Sequence, residues 1–129
     1  MDIVLMADMR KYDLLVNFCI AYKNILRKHR LMSLFNTSKL IQEATGLEIN
    51  TLATDLVTGI DQLASRVSYN EIDAIIYLRD QDEPDYSIAN VLLRACDNMN
   101  IPYASNMALA ELLVLAIDRG DLAWRELLR

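Results

Sequence analysis

The segment that decides the fold is LMSLFNTSKLIQEATG, residues 31–46, in which an apolar run passes through polar residues into a helix-forming stretch. This pattern predicts a strand, a loop and a helix in that order. Thr37 or Ser38 is in position to cap the start of the helix, and Gly46 stands where a left-handed C-terminal cap is expected. The segment therefore predicts the strand–loop–helix unit from which helix-covered parallel sheets are built.

The start of this predicted helix is also a candidate anion site. Its first-turn amides, the hydroxyls of Thr37 and Ser38 and the amine of Lys39 together suit a phosphate or a carboxylate. A basic pair after the first predicted strand would close the site from the opposite side. The candidate ligand-binding residues are thus Asn36, Thr37, Ser38, Lys39, Arg10 and Lys11. The simpler alternative is that the polar residues only cap a helix.

Outward from this segment, short apolar runs alternate with amphipathic stretches along the chain. Further strands are predicted at Ile3–Ala7, Ile49–Ala53, Ile72–Leu78 and Ile101–Ala104, and further helices at about residues 14–26, 60–67, 88–99 and 107–117. Such alternation predicts an α/β fold, a single domain over residues 1–129 with a parallel sheet between two layers of helices. Ligands of such sheets bind beyond the carboxyl ends of the strands. The candidate loops there are Asp8–Tyr12, Leu34–Lys39 and Arg79–Asp85.

Composition limits the classes of partner. The chain has 129 residues, is 53% hydrophobic and carries a formal net charge of -5, which would repel nucleic acid or an anionic membrane. Cys19 and Cys96 lie among apolar neighbours, so we expect buried free thiols in a reducing compartment. The apolar run Ile3–Ala7 is too short for a signal peptide or a membrane span, and a cytoplasmic protein is expected.

Little in the sequence indicates a metal or a cofactor. His29, the one histidine, falls between a helix end and a strand, where a structural role is usual. Asp8, Asp80 and Asp85 would offer oxygen ligands to a divalent cation, but solvated aspartates are the simpler explanation. No dinucleotide-binding glycine motif is present. We therefore expect neither a metal nor a cofactor.

The segment Met107–Ile117 is apolar almost all round, interrupted mainly by Glu111. A helix of this kind is either deeply buried or packed against another subunit. Because one helical layer over a sheet leaves part of it uncovered, a homo-oligomer is expected.

Several blocks of the sequence, in this order, resemble the methylglyoxal synthase family. The blocks are Ile3–Ala7, Leu40–Asn50, Ile72–Ile76, Leu92–Arg94 and Asn100–Asn106, which together span nearly the whole chain. The most specific are the Ala-Thr-Gly ending at Gly46 and the NIPYASN block, residues 100–106. The resemblance implies a five-stranded parallel sheet of order 3-2-1-4-5, a phosphate cradle after the second strand and often a hexamer. The same fold serves as a regulatory module in carbamoyl phosphate synthetase and as a domain of the purine-pathway cyclohydrolase.

The chemistry implied by the resemblance is elimination of phosphate from dihydroxyacetone phosphate, by a carboxylate base and a histidine. The sequence departs from the family at these positions. Asp8 and Asp85 replace the two histidines, and the Gly-Gly-Asp that carries the base reads Thr58–Ile60. Asp61 comes one position late, which turns its side chain by about 100° on a helix. Thr54 stands where the family has a phosphate-binding serine.

These departures leave three hypotheses open. The first, which we favour, is a stand-alone, catalytically degenerate module that binds a small anionic, phosphorylated metabolite. The second is a working lyase in which Asp61, Asp8 and Asp85 have reassigned roles as catalytic residues. The third is a purely structural oligomer subunit whose polar loops only cap helices.

Overall fold

A computed structural model describes residues 1–53 and 55–128. It contains one five-stranded, all-parallel sheet of order β3-β2-β1-β4-β5, so the predicted fold class and strand order are confirmed. The strands are β1 (Asp2–Ala7), β2 (Arg30–Ser33), β3 (Ile49–Thr51), β4 (Ala74–Leu78) and β5 (Tyr103–Ala104). The strand order reverses between β1 and β4, which creates the position where open parallel sheets bind ligands.

Helices cover both faces of the sheet. They are α1 (Tyr12–Ala21), α2 (Lys23–Leu26), α3 (Phe35–Thr45), α4 (Leu56–Ser68), α5 (Asn90–Met99) and α6 (Met107–Asp118), with short 3-10 turns at Met9–Lys11, Tyr86–Ala89 and Ala123–Leu128. Alternate residues of β1 face opposite layers: Ile3 and Leu5 join the core under α1, α3 and α6, whereas Val4 and Met6 join the core under α4 and α5. This explains why β1 is a continuous apolar run.

Two helix starts differ from the sequence prediction. Helix α3 begins at Phe35 after Leu34, and the Ser38 amide already donates to the Leu34 carbonyl at 2.8 Å, so neither Thr37 nor Ser38 is the capping residue. Helix α4 begins at Leu56 because the carboxylate of Asp55 accepts a hydrogen bond from the Thr58 amide at 2.9 Å. Each helix therefore begins earlier than predicted.

The ends of other elements were predicted more closely. Gly46 ends α3 with φ 73°, as the left-handed cap requires. The Asn106 side chain caps α6 by accepting from the Leu109 amide at 3.0 Å. Strand β3 is an exception, because it is shorter than the predicted Ile49–Ala53 and ends at Thr51.

Buried thiols and apolar segments agree with the sequence. Cys19 and Cys96 are free and buried, and burial raises the pKa of both thiols to about 12, so neither is a thiolate nucleophile at neutral pH. In residues 1–53 and 55–128 no helix has the length and apolar character needed to cross a bilayer.

The last turn of the chain is fastened by Arg125, a fully buried residue that the sequence did not single out. Its guanidinium donates to the Asp73 carboxylate at 3.2 Å and to the Asn70 side-chain oxygen at 2.7 Å. It also donates to the carbonyls of Asn100, at 3.1 Å, and Ile72, at 3.2 Å. Arg125 therefore joins the C-terminal turn to the amino end of β4.

Candidate active site

A cleft of about 240 Å³ opens at the carboxyl ends of β1, β2 and β4, where the strand order reverses. Its polar lining consists of Asp8, Tyr12, Asn36, Thr37, Tyr77, Glu83 and Asp85. Its apolar lining includes Met6, Leu34 and Leu56. This set brings together four of the residues named from sequence: Asp8, Asn36, Thr37 and Asp85.

Asp8 is buried at the end of β1, and both of its carboxylate oxygens are engaged. One oxygen accepts from the Tyr77 hydroxyl at 2.8 Å, and the other accepts from the Arg79 Nε at 3.1 Å and the Asp80 amide at 2.7 Å. Burial and the hydrogen bond to Asp8 raise the pKa of Tyr77 well above its usual value, which keeps the phenol protonated. This arrangement holds the ends of β1 and β4 together.

Arg79 also secures the loop that forms one wall of the cleft. Its guanidinium lies 4.5 Å from the ring centre of Tyr77 and 3.9 Å from that of Tyr86, a double cation–π contact. Its terminal nitrogen donates to the Tyr86 carbonyl at 2.7 Å. The loop between Asp80 and Tyr86, which carries Glu83 and Asp85 into the cleft lining, is thus held at both of its ends.

The start of α3 forms the opposite wall. The Thr37 hydroxyl donates to the Leu34 carbonyl at 3.2 Å and contacts the Ser33 hydroxyl. The Phe35 amide donates to the Ala53 carbonyl at 3.3 Å, whereas the amides of Asn36 and Thr37 have no acceptor within the helix because they belong to its first turn. These two amides are the ones that the helix leaves for a ligand.

The other predicted anion-binding residues lie away from this cleft. The Ser38 hydroxyl is 2.6 Å from the Thr51 hydroxyl and accepts from Gln42 at 2.8 Å, and with Lys39 it lines a separate depression of about 300 Å³. The exposed guanidinium of Arg10 lies 3.4 Å from Asp80 and 3.9 Å from Asp82. Lys11 shares the short turn with Arg10, and neither is among the cleft-lining residues. Thr54 lies outside the described residues.

Asp61 is also outside the cleft. It is exposed in the second turn of α4 and lines a different depression beside Gln62 and Arg66. The preceding Ile60 is buried in the core, as the 100° rotation between successive helix positions requires. Gly59 lies so close to Leu34 that a Cβ at this position would overlap the leucine side chain, which fixes α4 tightly against the cleft wall.

The one histidine lies at the far end of the sheet. His29 lines a cavity with Asp2 and Arg30, at the amino ends of the strands, and its Nδ1 is 3.1 Å from the Met1 amine. Burial, followed by the positive charge of that amine, lowers the pKa of His29. Within the part of the chain that the structure describes, no group of three His, Cys, Asp or Glu side chains is arranged to hold a metal ion.

Sequence reasoning missed Tyr77 and Arg79. The sequence predicts that Tyr77 lies in a strand and Arg79 in a charged loop, but it does not predict that both contact Asp8. The signal available in the sequence is the position of Arg79 directly after an apolar strand. An arginine that is buried there needs a carboxylate partner.

Comparison with known proteins identifies the family. A methylglyoxal synthase of Caldicellulosiruptor saccharolyticus is 50% identical over 98% of this chain and 92% of its own length. One of Thermoanaerobacter sp. is 42% identical over 98% of each chain. The crystal structure of methylglyoxal synthase from Elizabethkingia anophelis NUHP1 matches with a TM-score of 0.81 at 30% identity, covering 88% of this chain and 76% of that one. No protein-family model matches the sequence. On the strength of these relatives, and of a sheet with the strand order that the sequence resemblance implies, the chain belongs to the methylglyoxal synthase family.

Proposed function

We propose that this member of the methylglyoxal synthase family binds a small anionic metabolite in the cleft and does not catalyse elimination of phosphate. The observation that carries the proposal is the engagement of Asp8. A carboxylate whose two oxygens already accept hydrogen bonds from Tyr77, Arg79 and the Asp80 amide is held as a structural group and is poorly placed to remove a proton from a substrate carbon.

The remaining candidates support the same conclusion. Asp61 does not line the cleft, and His29 lies at the opposite end of the strands. Asp85 lines the cleft and is exposed. Of the three candidate catalytic aspartates, it is the one whose carboxylate is open to a ligand in the cleft. A carboxylate alone lacks the imidazole that the resemblance implies for enediolate formation.

The ligand class follows from the start of α3. The amides of Asn36 and Thr37 suit a phosphate or carboxylate oxygen, since the first turn of a helix carries a partial positive charge. Glu83 and Asp85 oppose this attraction, at about 1–4 kcal/mol for each carboxylate within about 4 Å of the anion, depending on how well water screens it. We therefore expect weak anion binding, with the ligand contacting α3 rather than the loop after β4.

A lyase activity is the second candidate, and the relatives favour it, because proteins named methylglyoxal synthase are up to 50% identical to this chain. Phosphate release from dihydroxyacetone phosphate separates the two functions. We expect no release above background from this protein, while the relative from Caldicellulosiruptor saccharolyticus, assayed beside it, serves as the positive control. Turnover that disappears in Asp61→Asn, Asp8→Asn or Asp85→Asn would overturn the proposal and establish reassigned carboxylates.

Anion binding is tested by amide NMR during a titration with inorganic phosphate. We expect the largest shifts at Asn36 and Thr37. The double variant Ser38→Ala with Lys39→Ala tests the wider site expected from sequence. Removing a charge-assisted contact costs about 1.5–3 kcal/mol, so binding at least tenfold weaker in this variant would contradict a site confined to the cleft. Equal binding by the double variant would restrict the site to the cleft, where neither side chain is part of the lining.

We further propose that the protein assembles as a homo-oligomer, with a hexamer implied by the family resemblance. Leu109, Leu112 and Leu115 form a stripe on α6 and are 46%, 66% and 40% exposed. Such a stripe is costly in water and suits a subunit contact. Light scattering at micromolar concentration should give a mass above that of a monomer, and Leu112→Glu should lower it; a monomeric wild-type mass contradicts the proposal.

A further inference from the structure

We propose that a second binding site lies at the amino end of the sheet and takes an organic phosphate with an apolar body. This inference does not depend on the function proposed for the cleft, because the two cavities lie beyond opposite ends of the strands. It rests on the size of the second cavity, on its charge and on the apolar side chains in its lining.

The cavity holds about 1000 Å³ and lies at the amino ends of β1, β2 and β3, beside Asp2, Arg30 and Ile49. Sites for small molecules usually occupy roughly 300–1000 Å³. The cavity is therefore large enough for a small organic phosphate, and its open mouth gives access from solvent.

Its charge differs from that of the rest of the protein. Four cations line it (Lys23, Arg27, Arg30 and Arg66), against three carboxylates (Asp2, Glu48 and Glu71). His29 adds no charge at neutral pH, because burial and the neighbouring amine lower its pKa. The cavity is thus net positive in a chain whose formal net charge is -5.

Three of the four cations remain available to a ligand. Arg30 is committed, since it donates two hydrogen bonds of 2.8 Å to Asp2. In residues 1–53 and 55–128, none of the ion pairs within 4.0 Å involves Lys23, Arg27 or Arg66. Within the described residues, the cavity carboxylates Glu48 and Glu71 therefore form no ion pair with these cations.

The cations approach the cavity from both layers of the fold. Lys23 begins α2 and Arg27 is its C-terminal cap, still in a helical conformation, so the two side chains, four positions apart, lie on the same side of the element that covers one face of the sheet. Arg66 is in the last turn of α4, which covers the other face. An anion at the mouth would lie between them. The ammonium of Lys23 would attract it as a point charge, and the planar guanidinium of either arginine would donate two parallel hydrogen bonds to it.

Apolar side chains also line the cavity. They are Leu31, Met32, Leu47 and Ile49, each no more than 8% exposed. An organic body would cover the apolar surface that these side chains leave open, which favours binding. This is why the proposed ligand is an organic phosphate and not inorganic phosphate alone.

The simpler alternative is that the cations only complement the negative C-terminal ends of α2 and α4. That role stabilises the fold but gives no ligand affinity and no preference among anions. Binding measurements on the full chain separate the two roles.

The probe is phenyl phosphate, titrated by calorimetry, with phenol and inorganic phosphate as its two halves. We expect phenyl phosphate to bind more tightly than either half. Arg27→Ala and Arg66→Ala should each weaken binding at least tenfold, and Arg27→Lys should retain most of it. The control is Arg94→Ala, since Arg94 is an exposed cation of α5 that does not line the cavity.

Amide NMR with the same probe locates the site. Shifts confined to Gly46–Asn50 and Arg30 support the proposal, since these segments line the cavity. Shifts confined to Asn36 and Thr37 would assign the probe to the cleft and overturn the second site while leaving the cleft proposal intact. An absence of binding at millimolar phenyl phosphate, or equal binding by Arg27→Ala, Arg66→Ala and Arg94→Ala, would also overturn it.

Discussion

Two buried ion pairs flank β4, and they differ in what lies beside them. Asp8 and Arg79 meet at its carboxyl end, with side chains 3% and 5% exposed, and border the cleft. Asp73 and Arg125 meet at its amino end, both 0% exposed, and are enclosed by Asn70 and backbone carbonyls. The chemistry of the two pairs is the same, yet only the first lies where a ligand can approach.

Because both pairs are buried, burial does not distinguish Asp8 from Asp73. Asp8 is the functional candidate because it lies at the carboxyl ends of the strands, beside the cleft. Asp8 was named from sequence because it follows a strand at the ligand-binding end. In the structure it is engaged much as Asp73 is, by an arginine and a backbone amide, since Asp73 also accepts from the Asp2 amide at 2.8 Å. Both carboxylates join strand ends to later segments of the chain.

The largest expected loss of stability follows from breaking the enclosed pair of Asp73 and Arg125. Arg125→Met leaves Asp73, the Asn70 oxygen and two carbonyls without their guanidinium partner in a site that water does not reach. Breaking a buried pair from one side costs about 3–5 kcal/mol. Urea unfolding should show this loss as a lower midpoint.

The matched control is Arg119→Met. Arg119 pairs with Asp121 at 2.9 Å, but their side chains are 65% and 50% exposed, so a change below about 1 kcal/mol is expected. Equal losses in the two variants would mean that enclosure does not set the strength of the Arg125 contacts.

A smaller loss of stability is expected when the pair of Asp8 and Arg79 beside the cleft is broken. Asp8→Asn keeps the shape but removes the charge that Arg79 and the Asp80 amide contact, which costs about 1.5–3 kcal/mol. It should also lower the pKa of Tyr77, which is raised first by burial and then by the hydrogen bond and charge of Asp8. Urea unfolding and an ultraviolet titration of the tyrosines measure the two effects.

Asp55→Asn is the control for Asp8→Asn, since Asp55 is an exposed cap whose replacement by another capping residue changes stability little. A loss at Asp8 no larger than at Asp55, with the pKa of Tyr77 unchanged, would contradict the structural role assigned to Asp8.

The sequence predicted the elements better than the contacts. Alternating apolar runs gave the strands, and the family resemblance supplied their order, because local periodicity contains no information on which strands pair. The sequence predicts that helix α4 begins at about residue 60, whereas it begins at Leu56, because Asp55 caps it and aspartate is a common N-cap. Asp8 was placed at the site, but its partners Tyr77, Arg79 and Asp80 are 69–72 positions away, beyond the reach of any local pattern.

The contacts of Arg125 also bear on the order in which the chain becomes native during synthesis. Asp73 is synthesised 52 residues before Arg125, and Asn70, whose side-chain oxygen accepts from the same guanidinium, is synthesised 55 residues before it. Domains are synthesised from the N-terminus at roughly 5–20 residues per second, so β4 exists for several seconds before its amino end can be closed. The segments that form strands β1 to β4 are therefore synthesised before Arg125 can bind Asp73. The hydrogen bonds at the amino end of β4 form late, once the turn that contains Arg125 has been made.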